Sequence, residues 1–452
     1  MMLLSRHIRK EAQNDNSYNR ARKRYKYISS GVACGHEKIS HGPPFSEHQR
    51  QKRWSAWYIV LMSLLMVFDN SSTLRDRFAA ARRYLVDIYS SLRRPGKTFE
   101  GFMIARKALT ARDKRLLHTH LGRQHRQIAD KFWRRLGWEV FAADGSKIEM
   151  PRTAANEKAF GCAGKKKTGP QLLLTTLYQM GTGLPWDWHI GNGTESERSH
   201  LRWLLAGLPI NALLVADAGF TGYELLKDII ASGRHFLIRI GASVTLLKDL
   251  AIESKIDGDV VWLWPSDKQR NQPPLKLRLI VLKDAKTPVY LLTDVFDRQR
   301  LSDETAAVLY RMRWGVEVFY RGFKRTLDQH KLRSRSPDNA IDELHWAMTA
   351  YLLLGLMSVE GMIAEGTDPL KLSVAAALRT VRTAMQSHSR WRRNGDLSAL
   401  LTKATKDRYC RKHPKEARDW PHKKNDPPCG IPKIRTATAK EIHYAQRFYD
   451  AA

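Results

Sequence analysis

The sequence predicts an α/β chain: one mixed sheet with a β-rich insertion, flanked by helical N-terminal and C-terminal regions. Three observations carry this. The apolar period changes from helical to alternating at Gly137. Three strand-like runs then follow one another directly, and further strands alternate with helices, which is the pattern of a mixed sheet. Residues 241–295 are rich in strand-forming runs with no helix between them, and helical patterns resume after them.

Bulk properties narrow the class. The chain has 452 residues, enough for about three units of ~150 residues. Hydrophobic residues make up 43% and charged residues 27%, so most of the chain is neither disordered nor membrane-embedded. Lys plus Arg number 77 against 45 Asp plus Glu, a net charge of +32. That balance favours a polyanionic partner, of which nucleic acid is the commonest. Cys34, Cys162, Cys410 and Cys429 are too few and scattered for a disulfide framework, which fits a reducing compartment. MMLLSRHIRK lacks the apolar core of a signal peptide. The apolar run Ala56 to Phe68 falls short of the ~20 residues needed to cross a bilayer and is expected to be a buried helix, so no membrane partner is expected.

Residues 1–53 carry 12 Lys/Arg and 4 Asp/Glu without periodicity and are expected to form a basic disordered arm. Residues 54–136 read as helices. Ser/Asn caps precede an amphipathic run in DNSSTLRDRFAAARRYLVDIYSSL, and PGKTFEGFMIARKAL follows a Pro-Gly break. Recurrent cations, among them Arg75, Arg82, Arg83 and Lys97, fit either a DNA-contacting helical region or a solvated basic face.

The core spans 137–330. WEVFAADGS predicts a strand ending in a turn at Asp144-Gly145. QLLLTTLYQM and PWDWHI are strands joined by the hairpin GTGL. Helix SERSHLRWLLAGL, strand ALLVADAGF ending at Asp217, helix TGYELLKDIIAS and strand RHFLIRI follow. VVWLWP, LKLRLIVL and PVYLLTD make the insertion at about 241–295. Ser302 with Asp303 and Glu304 caps a single long helix from about 303 to 328. Residues 331–452 hold apolar helices and then a basic, Pro-broken tail.

Asp144 and Asp217 lie at predicted strand ends, where a fixed backbone can present a carboxylate to a cleft. Taken singly, each fits an Asx-type turn beside Gly145 or Gly219 better than a catalytic role. On the long helix, Tyr310, Arg313, Glu317 and Lys324 are spaced to fall within roughly 60° of one another, with Arg321 inside that stripe. By itself this face also suits a solvated ladder, since Glu317 lies four residues from Arg313 and from Arg321.

The spacing Tyr310-x2-Arg313-x3-Glu317-x6-Lys324 resembles the YREK signature of bacterial insertion-sequence DDE transposases, in the family named after insertion sequence four. Even with any basic and any acidic residue allowed at the charged positions, ~0.04 matches are expected by chance in this composition. Asp144 in its ADGS segment is similar to the family's first acid, and Asp217 in VADAGF to its second, although Ala218 stands where many relatives carry a charge. The resemblance covers about residues 72–330 and extends more loosely to PPCGIPKIRTATAKE.

It implies an RNase H-like core whose catalytic and metal-holding triad is Asp144, Asp217 and Glu317. The implied cofactor is Mg²⁺ or Mn²⁺, two ions, since three convergent carboxylates do not all stay ionised without a cation. The implied reaction is cleavage of the element's own double-stranded DNA ends and strand transfer into target DNA, by a homodimer on DNA, in the bacterial cytoplasm at the nucleoid. Arg313, Arg321 and Lys324 would face DNA phosphates, with Tyr310 donating a hydrogen bond. Trp262 and Trp264 would hold a displaced base, although core packing suits two such indoles better. Lys165, Lys166 and Lys167 form a basic loop suited to the DNA backbone. A catalytically inactive DNA-binding relative and an RNase H-like nuclease are the alternatives. Cys410, His413, His422 and Cys429 are zinc-capable types at irregular spacing, and His118, His120 and His125 crowd a basic helix; neither group is expected to bind metal.

Overall fold

A computed structural model of the chain describes residues 54–88, 94–162, 169–250, 259–264, 271–283, 288–386, 397–406 and 429–448. The expected arm at 1–53, Lys165 to Lys167, Cys410, His413 and His422 lie outside the described residues. The chain forms two units. One is drawn from within Met1–Ala129, Phe323–Gln329 and Asp342–Lys406, and the other from within Asp130–Gly322, His330–Ile341 and Asp407–Ala452.

The first unit is helical. It begins with α1 (Ala56–Phe68), α2 (Leu74–Ile88), α3 (Phe99–Arg106) and α4 (Ala111–Ile128). Ser55 caps α1 by accepting from the Tyr58 amide, and the helix is apolar around its whole girth, so nearly every residue of it is buried. Thr110 and Asp113 close a capping box at the start of α4.

Among the described residues, the second unit is built on an eleven-stranded sheet. Its first strands are β1 (Arg134–Arg135), β2 (Trp138–Glu149), β3 (Gln171–Gln179), β4 (Leu184–Asn192), β5 (Leu213–Ala216) and β6 (His235–Ile240). Helices α5 (Ala154–Phe160), α6 (Glu197–Leu205) and α7 (Tyr223–Ala231) connect them. The central order is β4-β3-β2-β5-β6. β2, β3 and β4 pair antiparallel, while β5 runs parallel to both β2 and β6. This is the strand order and polarity of the RNase H fold. The all-apolar β5, buried along its length, suits a central parallel strand.

The insertion is not a separate body. β7 (Thr245–Lys248), β8 (Val260–Leu263), β9 (Leu275–Leu282) and β10 (Val289–Thr293) continue the sheet, because β10 pairs antiparallel with β6. The open backbone edge that β6 would otherwise present is thereby covered. Further along, β8 pairs with β7, and β11 (Lys433–Thr436) runs parallel to β7 at the end of the sheet.

The expected single helix at 303–328 is instead three pieces. They are α8 (Asp303–Met312), α9 (Trp314–Arg321) and a π-helical turn, Gly322–Thr326. Ser302 caps α8 as expected, accepting from the Thr305 amide. The break at Arg313 precedes Gly315, and the π turn opens on Gly322; glycine weakens a helix interior at both places. After these come α10 (Pro337–Ala364), α11 (Val374–Gln386), α12 (Leu397–Thr402) and α13 (Ala439–Gln446). Helix α10 is long and apolar enough to cross a bilayer, yet 78% of its most apolar 18-residue stretch is buried inside the protein. Residues 342–406 belong to the same unit as α1 to α4, so the helical regions expected as separate ends form one body.

Candidate active site

Strand register brings the two aspartates together. Ala142 of β2 pairs with Val215 of β5, so Asp144 and Asp217 stand level, two residues further on along adjacent parallel strands. Alternation puts both side chains on one face, with strand axes about 5 Å apart. Asp217 ends its strand as expected and closes an Asx turn, its Oδ1 accepting from the Gly219 amide at 2.9 Å. Asp144 does not end its strand. β2 runs on to Glu149, and Asp144 pairs with Thr176 of β3 in mid-strand.

Gly145 is therefore not a turn glycine. A Cβ there would collide with Glu197 Oε1, so the missing side chain admits a further carboxylate beside Asp144 and Asp217. Glu197 opens α6, and its Oε2 also faces Gly219 beside Asp217. Sequence reasoning missed Glu197; only a strand-interior glycine beside an acid signalled a close approach. Burial pushes the Asp144 carboxyl up to about 7. The charges of Asp217 and Glu197 act in the same direction, against the Gly145 amide and Arg313. Burial and the Asp217 charge likewise raise Glu197, opposed by Lys147. Strand register and the approach of Glu197 to Gly145 bring the hard oxygen donors of Asp144, Asp217 and Glu197 to one place, and this is the observation that the site fits a divalent cation.

Helix α9 is pinned to this strand by Tyr320, a second residue missed from the sequence. Its buried hydroxyl lies 2.9 Å from both the Asp144 and Leu174 carbonyl oxygens and 3.0 Å from Thr176 Oγ1. Glu317 precedes it by three residues, on the same side of the helix. Arg313 donates to Glu317 Oε1 at 2.8 Å, and its guanidinium lies 5.6 Å from the Tyr310 ring centre. Burial raises the Tyr310 hydroxyl, while Arg313 and Arg239 pull against it. Tyr310 and Arg313 thus lie within reach of the Asp217 charge, and Arg313 in turn holds Glu317.

Other expectations fare differently. Lys324 falls in the π-helical turn, within the other unit, where the wider winding takes it off the 100°-per-residue stripe used to place it. Arg321 is exposed, its guanidinium 5.9 Å from the ring centre of Trp314. Trp262 and Trp264 are 4% and 8% exposed. They pack with Leu247, Leu250 and Ala445, so protein already covers the ring faces a displaced base would need. In the helical unit, Arg75, Arg82, Arg83 and Lys97 line one cleft of about 530 Å³. Arg82 is partly committed to structure, donating to the Gly96 carbonyl at 2.8 Å.

Residues 136–353 match the family described as transposase DDE domain. Over 233 residues the chain is 28% identical to the transposase InsG for insertion sequence element IS4 of Escherichia coli (strain K12), covering 48% of this chain and 52% of that protein. Over 149 residues it is 26% identical to a probable transposase for insertion sequence element IS5377 of Geobacillus stearothermophilus, covering 31% of this chain and 38% of that one. The chain thus spans about half the length, or less, of these relatives. A solved piggyBac transposase synaptic complex with hairpin DNA is similar at 15% identity and a TM-score of 0.37, over 87% of this chain and 82% of that one. The similarity to the transposase DDE domain family thus lies within residues 136–353, and both of these relatives are described as transposases of insertion sequence elements.

Proposed function

We propose that this protein is a DNA transposase that cuts the double-stranded ends of its own insertion sequence and joins them to target DNA. The observation that carries this is the in-register pair Asp144 and Asp217, with the Glu317 helix anchored to the same strand through Tyr320. Asp144, Asp217 and Glu317 are the proposed catalytic carboxylates and the holders of Mg²⁺ or Mn²⁺. When bound, two such ions supply an activated nucleophile and stabilise the leaving 3′ oxygen of an in-line phosphodiester attack.

The chain's own residues do the remainder. Asp144, with its proton affinity raised, gives up its proton to admit the cation near neutral pH. Arg313, paired with Glu317, holds that side chain in one place and presents a cation to a neighbouring phosphate. Tyr310, beside Arg313, donates its hydroxyl to a phosphate oxygen. Arg321 and Lys324, together with Lys165 to Lys167, contribute to backbone contact, and the net charge of +32 makes that contact strongly salt-dependent. Water and a freed 3′-OH are alternative nucleophiles for one reaction type, so one site serves both cleavage and joining. The active form is a homodimer on paired ends, acting at the bacterial nucleoid.

The test is excision in cells from a plasmid carrying the gene with its native flanks. Wild type is expected to excise the element and Glu317→Ala to reduce excision to background. Equal excision by both would overturn the assignment of Glu317.

A further inference from the structure

We propose that His189, Glu195 and His200 form a site for a borderline transition-metal ion, Zn²⁺ in the first instance, separate from the carboxylate cluster. Their ligand atoms all lie within 4.8 Å of one another, and they are the only such group of three among the described residues. His189 sits on β4, Glu195 in the turn that follows, and His200 on α6. Two imidazoles and one carboxylate are a familiar zinc donor set, which leaves a fourth position for water. Imidazole donors select against the hard ions suited to Asp144 and Asp217.

Three features prepare the group for an ion. His200 is buried, and its Nδ1 lies 2.9 Å from Thr175 Oγ1, which orients the ring and leaves Nε2 facing Glu195 Oε2 at 2.7 Å. Such an outer hydrogen bond fixes the tautomer of a ligating histidine. Thr175 is also the cross-strand partner of His189, so one residue registers both histidines. The His189 ring lies parallel to the Trp203 indole, with a centroid separation of 6.5 Å, and makes no hydrogen bond among the described residues. Gly191 completes the pocket: a Cβ there would collide with both Glu195 Oε2 and His200 Nε2, so glycine keeps the space between those donors clear. Tetrahedral zinc needs donors about 3.3 Å apart, which the exposed Glu195 and half-buried His189 reach by small side-chain movements. An ion here ties β4 to α6, the helix that carries Glu197.

The experiment uses the full chain, free of any histidine tag, stripped of metal and titrated with Co²⁺ in excess Mg²⁺ so that the carboxylate cluster is occupied. One equivalent of Co²⁺ is expected to give the intense visible bands of a four-coordinate ion, and Zn²⁺ to displace it. His189→Ala, which alters a half-buried ring, is expected to weaken binding by at least about tenfold, and His200→Gln to abolish it. Asp144→Asn is expected to leave the bands unchanged. Absence of saturable Co²⁺ or Zn²⁺ binding at micromolar concentration overturns the proposal. So does wild-type affinity in His189→Ala, or loss of the bands in Asp144→Asn, which would assign the ion to the carboxylates. Because the readout is binding, it stands apart from the excision test of Glu317.

Discussion

Asp144→Asn is expected to make the metal-free protein more stable at pH 8 while destroying its function. A carboxyl whose proton affinity is raised by folding holds its proton in the folded chain at a pH where the unfolded chain has lost it. The folded state is therefore favoured at low pH, and stability falls as pH rises from about 4 through about 7. The rise from 3.8 to about 7, at about 1.4 kcal/mol per pH unit, comes to about 4 kcal/mol as an upper bound. Asparagine keeps the shape and the oxygen that accepts from the Gly145 amide, but never acquires the charge. The assay is thermal unfolding of wild type and variant in EDTA between pH 4 and pH 8. With an unfolding entropy near 2.1 cal/mol/K per residue, about 4 kcal/mol corresponds to roughly 4 °C for a chain of this length. The variant should gain up to that amount at pH 8 and nothing at pH 4. Added Mg²⁺ should stabilise wild type more than the variant. Equal melting at pH 8 without divalent ions, or an unchanged pH slope in the variant, would refute the placement of Asp144 among like charges.

Tyr320→Phe removes one buried hydroxyl and leaves the ring in place. It should cost about 1–3 kcal/mol in denaturant unfolding and slow end cleavage without weakening DNA binding; a loss under about 0.5 kcal/mol would show that the hydroxyl does not hold α9 to β2. Trp264→Ala should destabilise the sheet unit by about 3–5 kcal/mol, since it empties a cluster shared with α13 and removes the bond from Trp264 Nε1 to the Gln272 carbonyl. Unchanged stability with impaired end cleavage would instead restore a base-holding role to this indole.

Much of the sheet was legible because its determinants are local. The buried run of β3, the apolar run of β5 and the Ser302 cap each lie within a few residues of what they specify. The misread features depend on distant partners. Gly145 looks like a turn residue until Glu197, far along the chain, is seen against it. The place of the insertion in the sheet shows only once β10 is seen beside β6. The helix at 303–328 has helical composition throughout, and only the glycines at 315 and 322 hint at its breaks. The signature Tyr310, Arg313 and Glu317 was readable as a spacing. Tyr320 lies within the same helix, but its role comes from the backbone of β2 and β3 and leaves no mark on the spacing.

The helical unit is discontinuous in the chain, and this governs how the protein is made. Helix α1 meets α11, whose Arg382 donates to the Phe68 carbonyl at 2.8 Å, so α1 awaits one of its partners for more than 300 residues of synthesis. Until then this nearly all-apolar segment has α2 and α3 against it but lacks part of its native cover, and apolar surface left open on a nascent chain invites aggregation or chaperone capture. A frameshift beyond the DDE core would spare every proposed catalytic carboxylate and still yield an insoluble product. Truncation late in the chain is therefore expected to disable the protein through failed assembly of the helical unit, with the proposed carboxylates intact.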